Sequence, residues 1–251
     1  MKIENCVLKI CVSSSHLLVP TQPFPHRHTH ACLAQLRYSY RMNRMWRNAL
    51  VVSIAILVGT LVYTYLFYGH LRAWAIQQSL GNAAVIVIAP SLALSGLAYF
   101  LAWPKRFIPY RKSLGLLGFY LGLGHVGVSM YRSGFMFDAL ALTSWRDTAI
   151  FVGYIAVVLF ALMPLITSRA LAPMLGGARV RIGLRYLGYS AYALVIFHGG
   201  FLAWGSWVRW WGAEDSTLLL PPTLIAVAIG TLTLLLRVAL WVATRGTAKR
   251  T

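Results

Sequence analysis

The chain has 251 residues, of which 59% are hydrophobic and only 11% are charged. Its 23 Lys and Arg residues outnumber 5 acidic residues and give a formal net charge of +18. The cations separate long apolar runs instead of forming a patch with exposed aromatic residues, so we exclude nucleic acid as a partner. The composition predicts an integral membrane protein in contact with lipid.

The first 44 residues differ from the rest in their mixed polarity and in the prolines Pro20, Pro23 and Pro25. We predict that residues 1–44 are a disordered tail, or that they are not translated, because Met42 and Met45 stand beside the first apolar run. The main domain is then 45–245, and 246–251 is a basic cytoplasmic tail.

Six apolar runs are long enough to cross a bilayer as helices, which takes about 20 residues each. They are 49–69, 82–103, 114–131, 148–167, 186–208 and 220–242. The runs predict an all-α fold, an integral membrane six-helix bundle. Basic residues are concentrated before the first run and after the second, fourth and sixth runs, so the positive-inside rule predicts that both termini are cytoplasmic.

Two histidines lie inside these runs. His125 and His198 each follow a basic residue, Lys112 and Arg185 respectively, by 13 positions. At about 1.5 Å of rise per residue, both imidazoles are expected roughly 20 Å from the cytoplasmic end of their helices. A matched pair of imidazoles on two membrane helices is typical of the axial ligands of a low-spin haem.

Residues near the histidines fit this hypothesis. Gly118 and Gly122 precede His125 on the same helical face and are expected to leave room for a flat macrocycle. Arg132 and Arg209, just outside the two helices, are candidate partners for the haem propionates. The alternatives are that each histidine bonds to a neighbouring helix without a ligand, and that the arginines are solvated loop charges.

The segment Arg111-Lys112-Ser113-Leu114-Gly115-Leu116, followed by Phe119 and His125, resembles the start of the third helix in the ferric reductase-like transmembrane family. Leu184, Tyr189 and His198 continue the order of that family, and the resemblance covers about residues 80–205. It is nearest to the haem-binding subunit of the bacterial periplasmic methionine sulfoxide reductase system. The resemblance implies a b-type cytochrome of the bacterial inner membrane, with His125 and His198 as ligands of one haem b.

The fifth helix departs from that branch, where a further histidine precedes the position of His198 by thirteen residues. Arg185 stands there instead, so the resemblance implies the loss of any inner cofactor site. Electrons would then come from a quinol or a docked flavoprotein. Arg111 and Arg185 are candidates to attract a flavin phosphate at the cytoplasmic edge; anchoring by positive residues is the alternative.

The sequence thus predicts an electron-transfer subunit of an oxidoreductase, which passes electrons across the membrane to an outer-face acceptor or partner reductase. Two alternatives stay open. A small six-helix transporter would use broken helices, to which Pro90 and Pro164 could contribute. A non-haem assembly subunit would use the Trp residues near the ends of the helices only as interface anchors.

Overall fold

The computed structural model describes residues 27–101, 103–133, 142–167, 177–212 and 218–248. The chain divides into two compact units, Met1–Arg47 and Asn48–Thr251. In the first unit the described residues are helical from Arg27 onward. The helical segments from residue 48 onward, which are described below, belong to the second unit.

The described residues form six α-helices and one 3-10 helix, and no strand occurs among them. The helices are α1 (Arg27–Tyr68), α2 (Ala73–Phe100), the 3-10 helix Trp103–Tyr110, α3 (Arg111–Ser133), α4 (Trp145–Ile166), α5 (Gly177–Trp211) and α6 (Pro222–Ala248). Within the described ranges, six stretches are long and apolar enough to cross a membrane. The prediction of an all-α, multi-pass membrane bundle is therefore confirmed.

Helix boundaries differ from the predicted ones at both ends of the chain. Helix α1 begins at Arg27, so residues 27–44, which the sequence assigned to a tail, are helical. Helix α6 continues to Ala248, past the predicted limit at 245. Residues 1–26 lie outside the described residues, and the translation of the tail stays a prediction.

Helix α2 begins at Ala73, nine residues before the predicted start of the second span. The prediction placed the start later because polar residues interrupt the apolar run there. Neighbouring helices satisfy these polar groups. The amide of Gln78 donates to Thr223 Oγ1 at 2.6 Å, and Ser79 Oγ donates to Thr64 Oγ1 at 2.9 Å. A membrane helix tolerates polar side chains where adjacent helices pair with them. The helix also continues through Pro90 without a break.

Helix α2 is the central helix of the bundle. Within its most apolar window 56% is buried in the protein, against 11–22% for the other five spans. Val85 and Ile88 pack there against Tyr192 of α5 and Ala226 of α6. The hydroxyl of the fully buried Tyr192 donates to the Val85 carbonyl at 2.9 Å, which leaves no polar atom of that side chain unpaired.

Helices α2 and α3 pack antiparallel along a row of small residues. A contact that lies a given number of residues closer to the start of α2 lies the same number of residues closer to the end of α3. The facing pairs are Ser91 with Gly115, Ile88 with Gly118 and Ala84 with Gly122. Small residues let two membrane helices approach closely. Helices α4 and α5 form a second antiparallel pair, in which Gly188 faces Met163.

Candidate functional site

His125 of α3 and His198 of α5 lie side by side in the bundle. Their ring centres are 6.3 Å apart, and the ring planes are nearly perpendicular at 85°. Both side chains are half-buried. The two helices that carry them make little direct contact, because α3 packs chiefly on α2 and α5 chiefly on α4.

Each imidazole is anchored to a main-chain carbonyl on the helix beside it. Nδ1 of His125 lies 2.7 Å from the Gln77 oxygen, and Nδ1 of His198 lies 2.7 Å from the Ala149 oxygen. Because a carbonyl only accepts, Nδ1 is the nitrogen that carries the proton in both rings. Nε2 then has a free lone pair, which is the state of a metal-ligating imidazole.

A glycine makes room for each anchored ring. Gly81 lies one helical turn after Gln77, and Gly153 lies one turn after Ala149. A Cβ added to Gly81 would be 2.9 Å from Nδ1 of His125, and one added to Gly153 would be 2.7 Å from Nδ1 of His198. Without a side chain at that position the carbonyl one turn earlier is accessible to the imidazole.

The same arrangement therefore occurs twice. In the α2–α3 pair 48 residues separate Gln77 from His125, and in the α4–α5 pair 49 residues separate Ala149 from His198. Both pairs are antiparallel, and both bonds run from Nδ1 to the carbonyl one turn before a glycine. The two halves of the site are equivalent in geometry, as two ligands on opposite faces of one group would be.

The spacing of the rings fits a single metal between them. A metal–nitrogen distance of about 2 Å and a further distance of about 1.1 Å to the ring centre give about 6 Å between two ligating rings. The observed distance is 6.3 Å. Two neutral imidazoles are a suitable donor set for haem iron, and the weak contact between α3 and α5 is what a planar group between them requires.

A zinc site is less well supported. No three His, Cys, Asp or Glu side chains in the described part of the chain are close enough to hold a metal ion. Catalytic zinc normally takes three protein ligands, and structural zinc takes four. A metal that arrives with its own equatorial ligands needs only the two imidazoles.

The glycines predicted to make room for a macrocycle pack against α2. A Cβ on Gly118 would overlap Cγ1 of Ile88, so at this position Ile88 of α2 fills the space beside the glycine, and contact with a macrocycle stays a prediction. A Cβ on Gly122 would lie 4.0 Å from that of Ala84, which is ordinary contact. The packing of α3 on α2 accounts for both residues.

The two arginines proposed to pair with propionates differ in their position. The guanidinium of Arg132 donates to the side-chain oxygen of Gln77, whose main-chain oxygen accepts from His125. Arg132 is thus connected to the site through one residue. Arg209 is exposed, and its Nη1 lies near Gly205 of its own helix. Pairing with a propionate stays a prediction for both.

Sequence reasoning missed Gln77, Gly81, Ala149 and Gly153. Gln77 and Gly81 precede the second predicted span, 82–103. A glycine inside an apolar run is too common to mark an imidazole contact without knowledge of the helix register.

The chain matches no model of a known protein family, and it matches no curated protein sequence.

Proposed function

We propose that this protein is a membrane b-type cytochrome, the electron-transfer subunit of an oxidoreductase in a bacterial inner membrane. One haem b would be held between Nε2 of His125 and Nε2 of His198. The observation that carries the proposal is the pair of imidazoles 6.3 Å apart, each fixed through Nδ1 to a carbonyl of a neighbouring helix. The resemblance of residues 80–205 to the ferric reductase-like transmembrane family supports the same function.

Haem supplies the one-electron chemistry when it is bound. The protein contributes ligands, orientation and surroundings. The carbonyls of Gln77 and Ala149 hold each ring in one tautomer and increase the basicity of its ligating nitrogen. The apolar spans around the site limit the access of water, so a bound haem iron would be poorly solvated there, and its redox potential would depend on these surroundings.

The depth of the site indicates the side on which electrons leave. His125 lies 14 helical residues from Arg111 but only seven from Arg132, or roughly 20 Å against roughly 10 Å along the helix axis. If the Arg-rich end is cytoplasmic, as the positive-inside rule predicts, the outer face is the nearer one. We infer that an outer-face acceptor or partner reductase takes the electron, and that a quinol or a flavoprotein supplies it.

The proposal is tested by the visible spectrum of the protein, expressed with haem supplied and purified in detergent. We expect a b-type spectrum on reduction by dithionite and about one haem per chain. His125→Ala and His198→Ala should each reduce the bound haem by about tenfold or more, because either change removes an axial ligand. His70→Ala is the matched control, since His70 lies two residues after the end of α1 and, among the ring contacts described, touches only Trp74 edge-on.

Wild-type protein without haem would contradict the proposal, and so would full haem retention in both ligand variants. Electron transfer is tested separately in sealed vesicles. A membrane-soluble quinol should reduce the haem, and ferricyanide, which does not cross the bilayer, should oxidise it again. Bound haem that neither reagent changes would leave a haem protein without the proposed activity.

A further inference from the structure

Three arginines gather at the end of the bundle away from the histidines. Arg111 begins α3, Arg185 lies near the start of α5, and Arg237 lies inside α6. Arg111 donates to the Ser91 carbonyl, and the next carbonyl, that of Leu92, accepts from the hydroxyl of Tyr189, which lies one helical turn after Arg185. The Cζ of Arg237 lies 5.0 Å from the ring centre of Tyr189, and these two residues line one crevice with Leu92 and Gly96.

The positive charges of this cluster have no acidic partner in the described part of the chain. Asp147 is the one acidic residue there, and it caps the start of α4 near the opposite end of the bundle. Arg111 uses its Nε to donate to the Ser91 carbonyl at 2.8 Å, which leaves most of its five N–H groups for another acceptor.

Like charges in this position are costly. Arg111 and Arg237 are only half-exposed, and Arg237 lies within an apolar span. A guanidinium within a membrane span is unfavourable unless it is paired or reaches the interface, and two further cations nearby add repulsion. A bound anion would offset both costs, and a planar guanidinium binds a phosphate through two parallel hydrogen bonds.

The side chains near the three arginines indicate which kind of phosphate-containing ligand would bind there. Apolar side chains on the same stretch of α6 point out of the protein, with Leu232 68%, Leu235 58% and Val238 56% exposed. Tyr186, next to Arg185, is 71% exposed. Exposed apolar side chains thus occur on both helices that carry Arg185 and Arg237, so a lipid whose phosphate binds between these helices can place its acyl chains against apolar surface.

We propose that Arg111, Arg185 and Arg237 form a binding site for the phosphate of an anionic phospholipid at the Arg-rich end of the bundle. Basic pockets between membrane helices at the cytoplasmic side are typical of headgroup sites. The site is independent of haem, because it lies on the opposite side of the bundle centre and shares no residue with the histidine pair.

The test is equilibrium binding of fluorescent phosphatidylglycerol to the full chain in detergent micelles. Wild type should bind this lipid about tenfold more tightly than phosphatidylcholine. Arg185→Gln and Arg237→Gln should each remove most of that preference. Arg185 is exposed, so its replacement removes charge without removing buried packing. Arg245→Gln, also on α6 and stacked on Trp241 instead, is the matched control and should keep the preference.

Competition with inorganic phosphate distinguishes the sources of the ligand. Failure of millimolar phosphate to displace the lipid supports a headgroup site, whereas displacement supports a phosphate site that also accepts a soluble anion. Equal affinity of wild type for the two lipids would overturn the proposal without any variant. Equal losses in Arg237→Gln and Arg245→Gln would overturn it as well, because general surface charge would then explain the binding.

Discussion

Gly81 and Gly153 each leave a gap on the surface of a helix, and an imidazole occupies that gap. Any side chain at these positions would meet Nδ1 of the ring within 3 Å. The contact is between rigid parts, since the ring is held by a hydrogen bond and the Cβ belongs to the backbone framework. The position of each anchored ring thus depends on the absence of a Cβ at the glycine that it faces.

We predict that Gly81→Ala or Gly153→Ala lowers haem affinity by about tenfold or more, because the displaced imidazole loses its bond to the carbonyl. Haem per chain after gel filtration measures the effect. Gly127→Ala is the control, because it lies on α3 close to His125 and an added Cβ there contacts nothing within 4 Å. All three changes add the same helix propensity, so a loss shared by the control would argue against the anchoring role.

Gln77 separates main-chain anchoring from side-chain anchoring. Its backbone oxygen accepts from His125, and its side-chain oxygen accepts from Arg132. We predict that Gln77→Ala keeps haem affinity within about twofold of wild type, because the acceptor of the histidine bond is unchanged. Titration with haem, followed by absorbance, measures this. A loss as large as that of Gly81→Ala would mean that the side chain holds the site.

Helices α2 and α3 owe their register to the facing row of small residues. Gly118 is the closest approach, since an added Cβ would overlap Ile88. The same register brings His125 opposite Gly81, about two helical turns from that contact. A shift of α3 along α2 would therefore move the imidazole away from the Gln77 carbonyl.

We predict that Gly118→Ala destabilises the protein by about 1–3 kcal/mol, as overpacking does in a tight contact. Ile88→Ala alone should cost about 2–5 kcal/mol because it leaves a cavity. In the double variant the new methyl group fills part of that cavity, so the combined loss should be smaller than the sum. The melting temperature in detergent, with thermodynamic analysis of the four proteins, checks this. Strict additivity would contradict the packing of Gly118 on Ile88.

The sequence predicted the six spans well and their partners poorly. Length and apolarity determine whether a helix crosses a bilayer, and both are local properties. Register depends on which small residues face each other across two helices, and from the sequence alone Gly118 and Gly122 suit a cofactor as well as a neighbouring helix. The polar residues Gln77 and Ser79 made the start of α2 hard to predict, because their pairing with other helices cannot be inferred from hydropathy.

The distribution of basic residues concerns the orientation of the entire chain. We predict that a fluorescent protein fused after residue 251 matures, because it stays in the cytoplasm, and that a phosphatase inserted between residues 212 and 218 is active, because it is exported. The reverse pattern in both fusions would invert the topology. It would also place the histidine pair nearer the cytoplasm and reverse the proposed direction of electron flow.

At this scale the sequence predicted that the histidines share one depth, and the structure adds that they meet. Equal spacing from Lys112 and Arg185 sufficed for the first statement, since helical rise is constant. The second depends on how α3 and α5 are held by α2 and α4, which involves residues more than 40 positions away from each histidine.

Each histidine completes its hydrogen bond inside its own helix pair, His125 within α2–α3 and His198 within α4–α5. The α2–α3 hairpin can thus enter the bilayer and orient its imidazole before the α4–α5 hairpin is synthesised. The cofactor would then be the last component to join, and it would link two helix pairs, α2–α3 and α4–α5, that have already formed. Haem supply during biogenesis would decide how firmly the pairs close, without being needed to form either of them.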